Sequence, residues 1–177
     1  VIARAGRGAG RALDLAIMIP LGTSAVTLGF GILIALDSPP LDLRTSPVIV
    51  PVAQALVGIP FVVRSLLPAL RAVDPRQREA AAVLGATPAR ARLEVDVAVA
   101  ARPLLVGAAF AFAIALGEFG ATSFLARPDA PTVPVAMFRL LGQPGAALRG
   151  QAMALGTVLA VLTAVSVLVI ERLRPRD

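Results

Sequence analysis

The chain has 177 residues, of which 57% are hydrophobic, and its mean hydropathy is +0.83. This composition is far more apolar than that of ordinary soluble domains and excludes that class. The net charge of +6 would suit a nucleic-acid binder, but such a protein would leave the long apolar runs unexplained. Cysteine and histidine are absent from the sequence, which removes disulfides, thiol chemistry and the commonest metal ligand. No cofactor or metal site is predicted.

Four apolar runs are long enough, or nearly so, to cross a bilayer as helices, which takes about 20 residues each. They predict spans at about residues 12–36, 48–70, 101–125 and 151–171. The apolar runs themselves cover residues 15–36, 48–70, 103–126 and 150–170, and two of them are interrupted by a charge, Arg64 in the second and Glu118 in the third. The chain is therefore predicted to be an all-α polytopic membrane protein with about four transmembrane helices.

The first two spans and the turn between them carry many helix breakers. Pro20 and three nearby glycines predict a kinked first helix with a small-residue face for close packing. The segment 37–42 is rich in proline and aspartate and predicts a turn outside the cell. Three prolines in the second span predict that it too is bent.

A charged loop at residues 74–98 follows the second span. Asp74-Pro75 predicts an N-cap followed by proline at the first helical position. The short helix that starts there is predicted to end at Leu84, with Gly85 as the glycine that follows a helix. Thr87-Pro88 repeats the starting signal, so a second helix is predicted to run toward the third span.

Beyond the third span, residues 127–131 predict an external loop. Residues 133–141 predict a brief amphipathic helix at the outer face. The fourth span ends in a basic tail that includes Arg174 and Arg176.

The distribution of arginine between the loops predicts the orientation of the chain in the membrane. All seventeen basic residues are arginine: twelve lie in or next to the N-terminal segment, the central loop and the C-terminal segment, four lie in the other two loops, and Arg64 lies inside the second span. The positive-inside rule therefore places both termini and the 74–98 loop in the cytoplasm. We expect a multi-pass protein of the bacterial cytoplasmic membrane.

The segment Arg78–Gly85, which reads Arg-Glu-Ala-Ala-Ala-Val-Leu-Gly, resembles the EAA loop of permeases of binding-protein-dependent ABC importers with the type I fold. The similarity continues through residues 86–91 and Arg102-Pro103, and it covers about residues 13–174. One departure lies at residues 95–98, where the family commonly has an Ile-x-Leu-Pro element: the proline is missing and Asp96 adds a charge.

The resemblance implies a permease subunit that forms the solute pathway and couples to an ATPase through a short helix in this loop. Small apolar side chains on that helix would enter a cleft on the ATPase, flanking charges would orient it, and glycine would reverse the chain. The residues implied in coupling are Arg76, Arg78, Glu79, Ala80, Ala81, Leu84 and Gly85. The implied partners are a cytoplasmic ABC ATPase, a second permease half or a homodimer partner, an extracytoplasmic solute-binding protein, and membrane lipid.

The stretch Leu116–Thr122 narrows the resemblance to permeases of iron(III) and thiamine importers, and also of molybdate and sulfate importers. Residues 131–142 look closer to the iron and thiamine group, so one of those solutes is expected and an oxyanion is the alternative. Candidate pathway or gate residues are Gly117, Glu118, Phe119 and Gly120. Glu118 would either line a water-filled cavity or serve structure alone, and Arg64 is expected to reach toward cytoplasmic water.

Two other classes of function are alternatives to transport. A non-transporting membrane scaffold remains open as an alternative. The chain is not expected to be an enzyme, because the spans hold no serine–histidine–aspartate set or paired carboxylates, and no phosphate-binding loop with lysine occurs. Because the sequence begins at Val1 and four spans are fewer than a permease core has, we expect the C-terminal part of a longer permease.

Overall fold

The computed structural model describes residues 7–40 and 42–173, and those residues form helices and connecting turns with no strand. The terminal arginines Arg4, Arg174 and Arg176 lie outside the described residues. The helices are α1 (Arg7–Gly22), α2 (Ala25–Ala35), α3 (Ile49–Arg71), α4 (Pro75–Val83), α5 (Pro88–Ala91), a π-helical segment (Arg92–Val97), α6 (Ala98–Gly117), α7 (Thr122–Leu125), α8 (Val133–Leu141) and α9 (Ala146–Leu173).

Three continuous helical stretches are long and apolar enough to cross a membrane: Ile49–Arg71, Pro88–Gly117 and Ala146–Arg172. A fourth crossing is present if α1 and α2 together count as one span. The prediction of an all-α polytopic membrane protein is therefore confirmed.

The prediction that the first span is a single kinked helix is wrong. α1 and α2 meet at an angle of 105° across a short break, so the apolar run of residues 12–36 is a broken span or a re-entrant loop. Pro20 in the last turn of α1 has no N–H to donate, and the hydroxyl of Thr23 donates to the carbonyl oxygen of Ile19 at 3.0 Å. Ser24 is extended at ψ 133° and starts α2 in a new direction.

The helix in the region of the third predicted span, 101–125, has other bounds than that span. The helical stretch Pro88–Gly117 starts earlier and ends earlier, and its 30 residues measure about 45 Å. A bilayer core is about 30 Å thick, so about ten residues extend beyond it. The helix stops at Gly117 because Glu118 is extended (φ −69°, ψ 119°) and its carboxylate binds the backbone of the turn that follows.

The remaining elements lie close to their predicted places. α8 covers the predicted residues 133–141, and α9 begins at Ala146 where a start near residue 151 was predicted. Gly145, immediately before α9, has φ +141°, a conformation that glycine adopts readily and other residues rarely do.

The helices α3 and α6 form the central pair of the bundle, and glycines allow their backbones to approach closely. A Cβ atom on Gly107 would lie 2.9 Å from the Cα atom of Val62, and one on Gly58 would lie 3.0 Å from the Cβ atom of Ala111. The amide of Gln54 on α3 donates to the carbonyl oxygen of Ala115 on α6 at 3.0 Å. Small residues and interhelical hydrogen bonds of this kind hold helices together in lipid.

Two further contacts complete the bundle. A small buried cluster of Ile49, Ala53, Ala121 and Leu125 joins α3 to α7, and α2 packs against it. α9 packs against α6 and α8, and the three helices border an open apolar groove of about 760 Å³. Gly117, Gly156 and Met137 are among the residues that line this groove.

Candidate functional site

The 74–98 loop begins with a capped helix, as the sequence predicts. The carboxylate of Asp74 accepts a hydrogen bond of 2.9 Å from the backbone N–H of Arg76, and Pro75 occupies the first position of α4. The cap satisfies an N–H group that has no partner within the helix.

Gly85 ends α4 in the conformation that the sequence predicts, with φ +84°. The N–H of Ala86 donates to the carbonyl of Ala81 at 2.9 Å, and the N–H of Gly85 donates to that of Ala82 at 2.9 Å. These two bonds form a Schellman motif, which satisfies carbonyls at the helix end and reverses the chain. The turn therefore rests on a glycine at this position.

The second helix of the loop starts in the same manner. The hydroxyl of Thr87 accepts from the backbone N–H of Arg90 at 3.3 Å, and Pro88 is the first helical residue. The guanidinium of Arg90 donates to the carboxylate of Glu94 at 2.7 Å, and this hydrogen bond raises the pKa of Arg90 above its ordinary value. Both side chains are more than half exposed, so the pair contributes little to stability.

The sequence-predicted coupling residues come together on α4 and its terminal turn. Ala80 and Leu84 are exposed, and Ala81 is half-buried. Arg76 and Glu79 are exposed on the same short helix, while Arg78 is half-buried. No residue of α4 is buried, so its exposed face is available for contact with a partner.

Two features of this loop were missed by sequence reasoning. Val83 is as exposed as Leu84, each at 88%, so the apolar tip of α4 is a pair of aliphatic side chains. Arg78 forms an ion pair with Asp96 in the π-helical segment, with Nε and Nη2 at 2.8 Å and 2.7 Å from the same carboxylate oxygen. Only the unusual charge at Asp96 signalled the second feature. A cleft of about 360 Å³ opens beside the pair, between α4 and the start of the next helix.

Glu118 lies at a second site, the junction after α6. Its side chain is 7% exposed, and its two oxygens accept the backbone N–H groups of Ala121 at 2.7 Å and Thr122 at 3.0 Å. The hydroxyl of Thr122 donates in return to the carbonyl of Glu118 at 2.8 Å. The carboxylate thus binds backbone groups at the start of α7. This geometry fits the alternative in which Glu118 serves structure alone.

The residues beside Glu118 contact two other helices and border the apolar groove. Phe119 packs against Phe138 of α8 with ring centroids 5.2 Å apart. A Cβ atom on Gly120 would lie 2.9 Å from the Cβ atom of Ala25, so the chain passes close to the start of α2. Gly117 is exposed and lines the apolar groove. The junction therefore ties α6, α8 and the broken span together.

Arg64, the other charge inside a predicted span, is exposed on α3. No ion pair is formed by this side chain within residues 7–40 and 42–173. It lies two turns of helix from Arg71 at the end of α3, a distance of about 10 Å along the axis.

The geometry defines a polytopic helical membrane protein in which the helical stretch Pro88–Gly117 is preceded by a capped, glycine-terminated helix with an exposed apolar tip. No protein-family model matches the chain. The putative 2-aminoethylphosphonate transport system permease protein PhnU of Salmonella typhimurium is 33% identical over 141 residues, which cover 73% of this chain and 49% of that protein.

Two shorter similarities point the same way. The sulfate transport system permease protein CysT of Escherichia coli is 43% identical over 75 residues, 42% of this chain and 27% of that protein. The molybdenum transport system permease protein ModB of the same species is 36% identical over 96 residues, 52% of this chain and 42% of that protein. The chain spans about half the length of PhnU.

These similarities confirm the resemblance to permeases of binding-protein-dependent ABC importers that the EAA-type loop indicates. The relatives described above are named for a phosphonate, sulfate and molybdenum. They therefore give no support to the expected iron(III) or thiamine solute, whereas the oxyanion alternative agrees with their names.

Proposed function

We propose that this chain is the membrane-spanning subunit of an ATP-driven importer, and that α4 is the coupling helix that binds a cytoplasmic ABC ATPase. Both termini and the 74–98 loop would face the cytoplasm, in accordance with the arginine distribution. The single observation that carries the proposal is the exposed tip of α4. It presents Val83 and Leu84 on a polar helix that leads, through Gly85 and α5, into the long span helix.

The chemistry of that tip favours a protein partner. Two aliphatic side chains, each 88% exposed, contact water on a helix whose other side chains include Arg76, Gln77 and Glu79. Burying them in a cleft of a partner removes apolar surface from water, with a gain of about 1.5–3 kcal/mol for each side chain. The surrounding charges would orient the helix in that cleft.

The stiffness of the loop suits a mechanical role. Both helices of the loop begin with a side-chain cap and a proline, and α4 ends in a Schellman motif. A displacement of α4 would therefore reach the helix that starts at Pro88 through a short connector at Gly85. This feature favours transport coupling over the scaffold alternative, because a non-transporting scaffold does not transmit movement.

We infer that the solute is an oxyanion. The Glu118 carboxylate, which would attract a cation if it lined the pathway, is buried and accepts two backbone N–H groups instead. Of the two charges that interrupt the apolar runs, Arg64 and Glu118, the exposed one is the positive Arg64. The names of the relatives, a phosphonate, sulfate and molybdenum, agree with this sign.

The complete transporter would contain further subunits. A second permease half or a second copy of this chain would complete the pathway, and an extracytoplasmic solute-binding protein would deliver the solute. Gly117, Phe119 and Gly120 would serve as a structural junction beside the pathway, since they contact α8, the start of α2 and the groove.

The test is a pull-down of the ABC ATPase encoded in the same genome, co-expressed with the full chain in membranes. Replacing Val83 and Leu84 together by serine should reduce recovery of the ATPase at least tenfold. The matched control is Ala89→Ser, an exposed position on α5 that leaves the tip intact. Equal recovery of the ATPase with the double variant and with the control would contradict the proposal and favour the scaffold alternative.

A further inference from the structure

We propose that the ion pair between Arg78 and Asp96 is the strut that fixes α4 to the base of the span helix, so that movement of α4 moves α6. The proposal rests on the proposed function, since it names the residues through which coupling passes. Asp96 is then a positioning residue: it holds the coupling helix and contacts neither solute nor nucleotide.

The geometry of the pair is that of a strong, directed contact between two elements. Nε and Nη2 of Arg78 lie 2.8 Å and 2.7 Å from one oxygen of Asp96, across a separation of 18 residues. The side chains are 30% and 16% exposed, so water screens the pair less than it screens a surface pair. Hydrogen bonds between two charged groups are shorter and stronger than those between neutral groups.

Little else holds α4 in place. The helix has no buried residue, and its packing partners are α5 and the π-helical segment. Hydrophobic burial therefore contributes little to the position of α4, and the ion pair carries a correspondingly large share. The short turn at Gly85 fixes one end of the helix, and the ion pair fixes its middle.

Asp96 sits at a mechanically distinct place in the long helix. It belongs to the π-helical segment Arg92–Val97, which lies between α5 and the beginning of α6. A π-helical turn contains an extra residue and has poorer packing along its axis than an α-helix, and such turns are frequent at functional sites. Force applied at Asp96 therefore acts where the helical register of the stretch Pro88–Gly117 changes.

The pair also accounts for the departure of this chain from the family pattern. The family commonly has a proline in this element, whereas here residues 95–98 lack it and Asp96 brings a charge. A proline would fix the backbone direction at this point by its ring. In this chain a side-chain tie to Arg78 fixes the direction of α4 relative to α6 in its place.

A distance measurement on the full chain in lipid nanodiscs tests the strut without any partner. Because the sequence has no cysteine, spin labels can be placed at Ala80→Cys on α4 and Val99→Cys on α6, both exposed. Asp96→Asn should broaden the distribution of label distances at least twofold. The exchanged pair Arg78→Asp with Asp96→Arg should restore the narrow distribution.

The control is Glu94→Gln, which breaks the exposed Arg90–Glu94 pair within one helical stretch and should leave the distribution unchanged. An unchanged distribution in Asp96→Asn would overturn the strut. Broadening that the exchanged pair fails to restore would also overturn it, because the effect would then belong to the single positions rather than to their attraction.

The second measurement concerns coupling in the assembled transporter, as solute taken up per ATP hydrolysed. Asp96→Asn should lower this ratio about tenfold with basal ATP hydrolysis retained, and the exchanged pair should recover it. Normal uptake in Asp96→Asn would overturn the strut and leave the proposed function intact. If the unmodified chain supports no ATP-dependent uptake, the proposed function fails, and the distance measurement still decides whether the strut exists.

Discussion

The side chains of Glu118 and Thr122 each bind the other residue's backbone: the Glu118 carboxylate accepts the N–H of Thr122 at 3.0 Å, and the Thr122 hydroxyl donates to the Glu118 carbonyl at 2.8 Å. This reciprocal arrangement has the logic of a helix-capping box, in which side chains satisfy backbone groups that a helix end leaves unpaired. These hydrogen bonds lower the free-energy cost of burying the Glu118 carboxylate.

We predict that Glu118→Ala lowers the thermal stability of the chain in detergent more than Glu118→Gln does. Alanine leaves two buried N–H groups without an acceptor, and glutamine keeps one acceptor oxygen; each unmet group costs about 1–3 kcal/mol. The measurement is the helical circular dichroism signal during heating, with the exposed Glu79→Gln as control. If Glu118→Ala is as stable to heating as the unmodified chain, Glu118 has no structural role.

Uptake by the same variants separates structure from pathway. If Glu118 serves structure alone, oxyanion uptake per folded transporter is unchanged in Glu118→Gln. A selective loss of iron(III) or thiamine uptake in that variant would instead support a pathway carboxylate and the cationic solute.

The contact between Gly29 and Ala121 gives a prediction about the broken first span. A Cβ atom on Gly29 would lie 2.5 Å from the Cα atom and 2.6 Å from the carbonyl oxygen of Ala121, both backbone atoms that cannot move aside alone. Gly29→Ala should therefore separate α2 from α7 and destabilise the chain by about 1–3 kcal/mol.

Gly31 provides a matched control on the same helix, because nothing lies within 4 Å of its Cβ position. Gly31→Ala should leave stability unchanged or raise it by about 0.5–1 kcal/mol through helix propensity. Thermal unfolding followed by circular dichroism compares the two variants. Equal stability of Gly29→Ala and Gly31→Ala would show that α2 and α7 are not in close contact.

Gly85 gives a prediction about the coupling loop. Its φ of +84° disfavours a side chain, although the space around it is open, so Gly85→Val should cost about 1–2 kcal/mol by backbone strain alone. Hydrogen exchange of the α4 amides should then be about 5–30 times faster, which mass spectrometry measures.

Membrane insertion of Gly85→Val should stay normal while uptake and solute-stimulated ATP hydrolysis fall. Gly150→Ala, in an open place on α9, is the control for a glycine substitution elsewhere. If uptake and solute-stimulated ATP hydrolysis are unchanged in Gly85→Val and the α4 amides still exchange slowly, the loop is an ordinary connector.

The sequence predicts the loop better than it predicts the spans, for a physical reason. Asp74, Gly85 and Thr87 act on backbone groups within a few residues, and such local rules are legible in sequence. The break of the first span and the end of α6 at Gly117 depend on where side chains find partners after the chain has turned. The Arg78–Asp96 pair joins residues 18 positions apart, and sequence alone gave only the presence of its two charges.

The orientation of the chain is open to direct test, because a chain without cysteine has no background thiol. Arg90→Cys and Ala130→Cys place single thiols at exposed positions. Residue 90 lies at the start of the helical stretch Pro88–Gly117, and residue 130 lies beyond its other end. The arginine distribution predicts that residue 90 faces the cytoplasm and residue 130 the outside. On intact cells an impermeant thiol reagent should label 130 and spare 90, and permeabilised cells should label both. A cysteine at Arg174, which lies outside the described residues, should behave as position 90 does. Labelling of 90 but not of 130 on intact cells would reverse the orientation and place the α4 tip out of reach of any cytoplasmic ATPase.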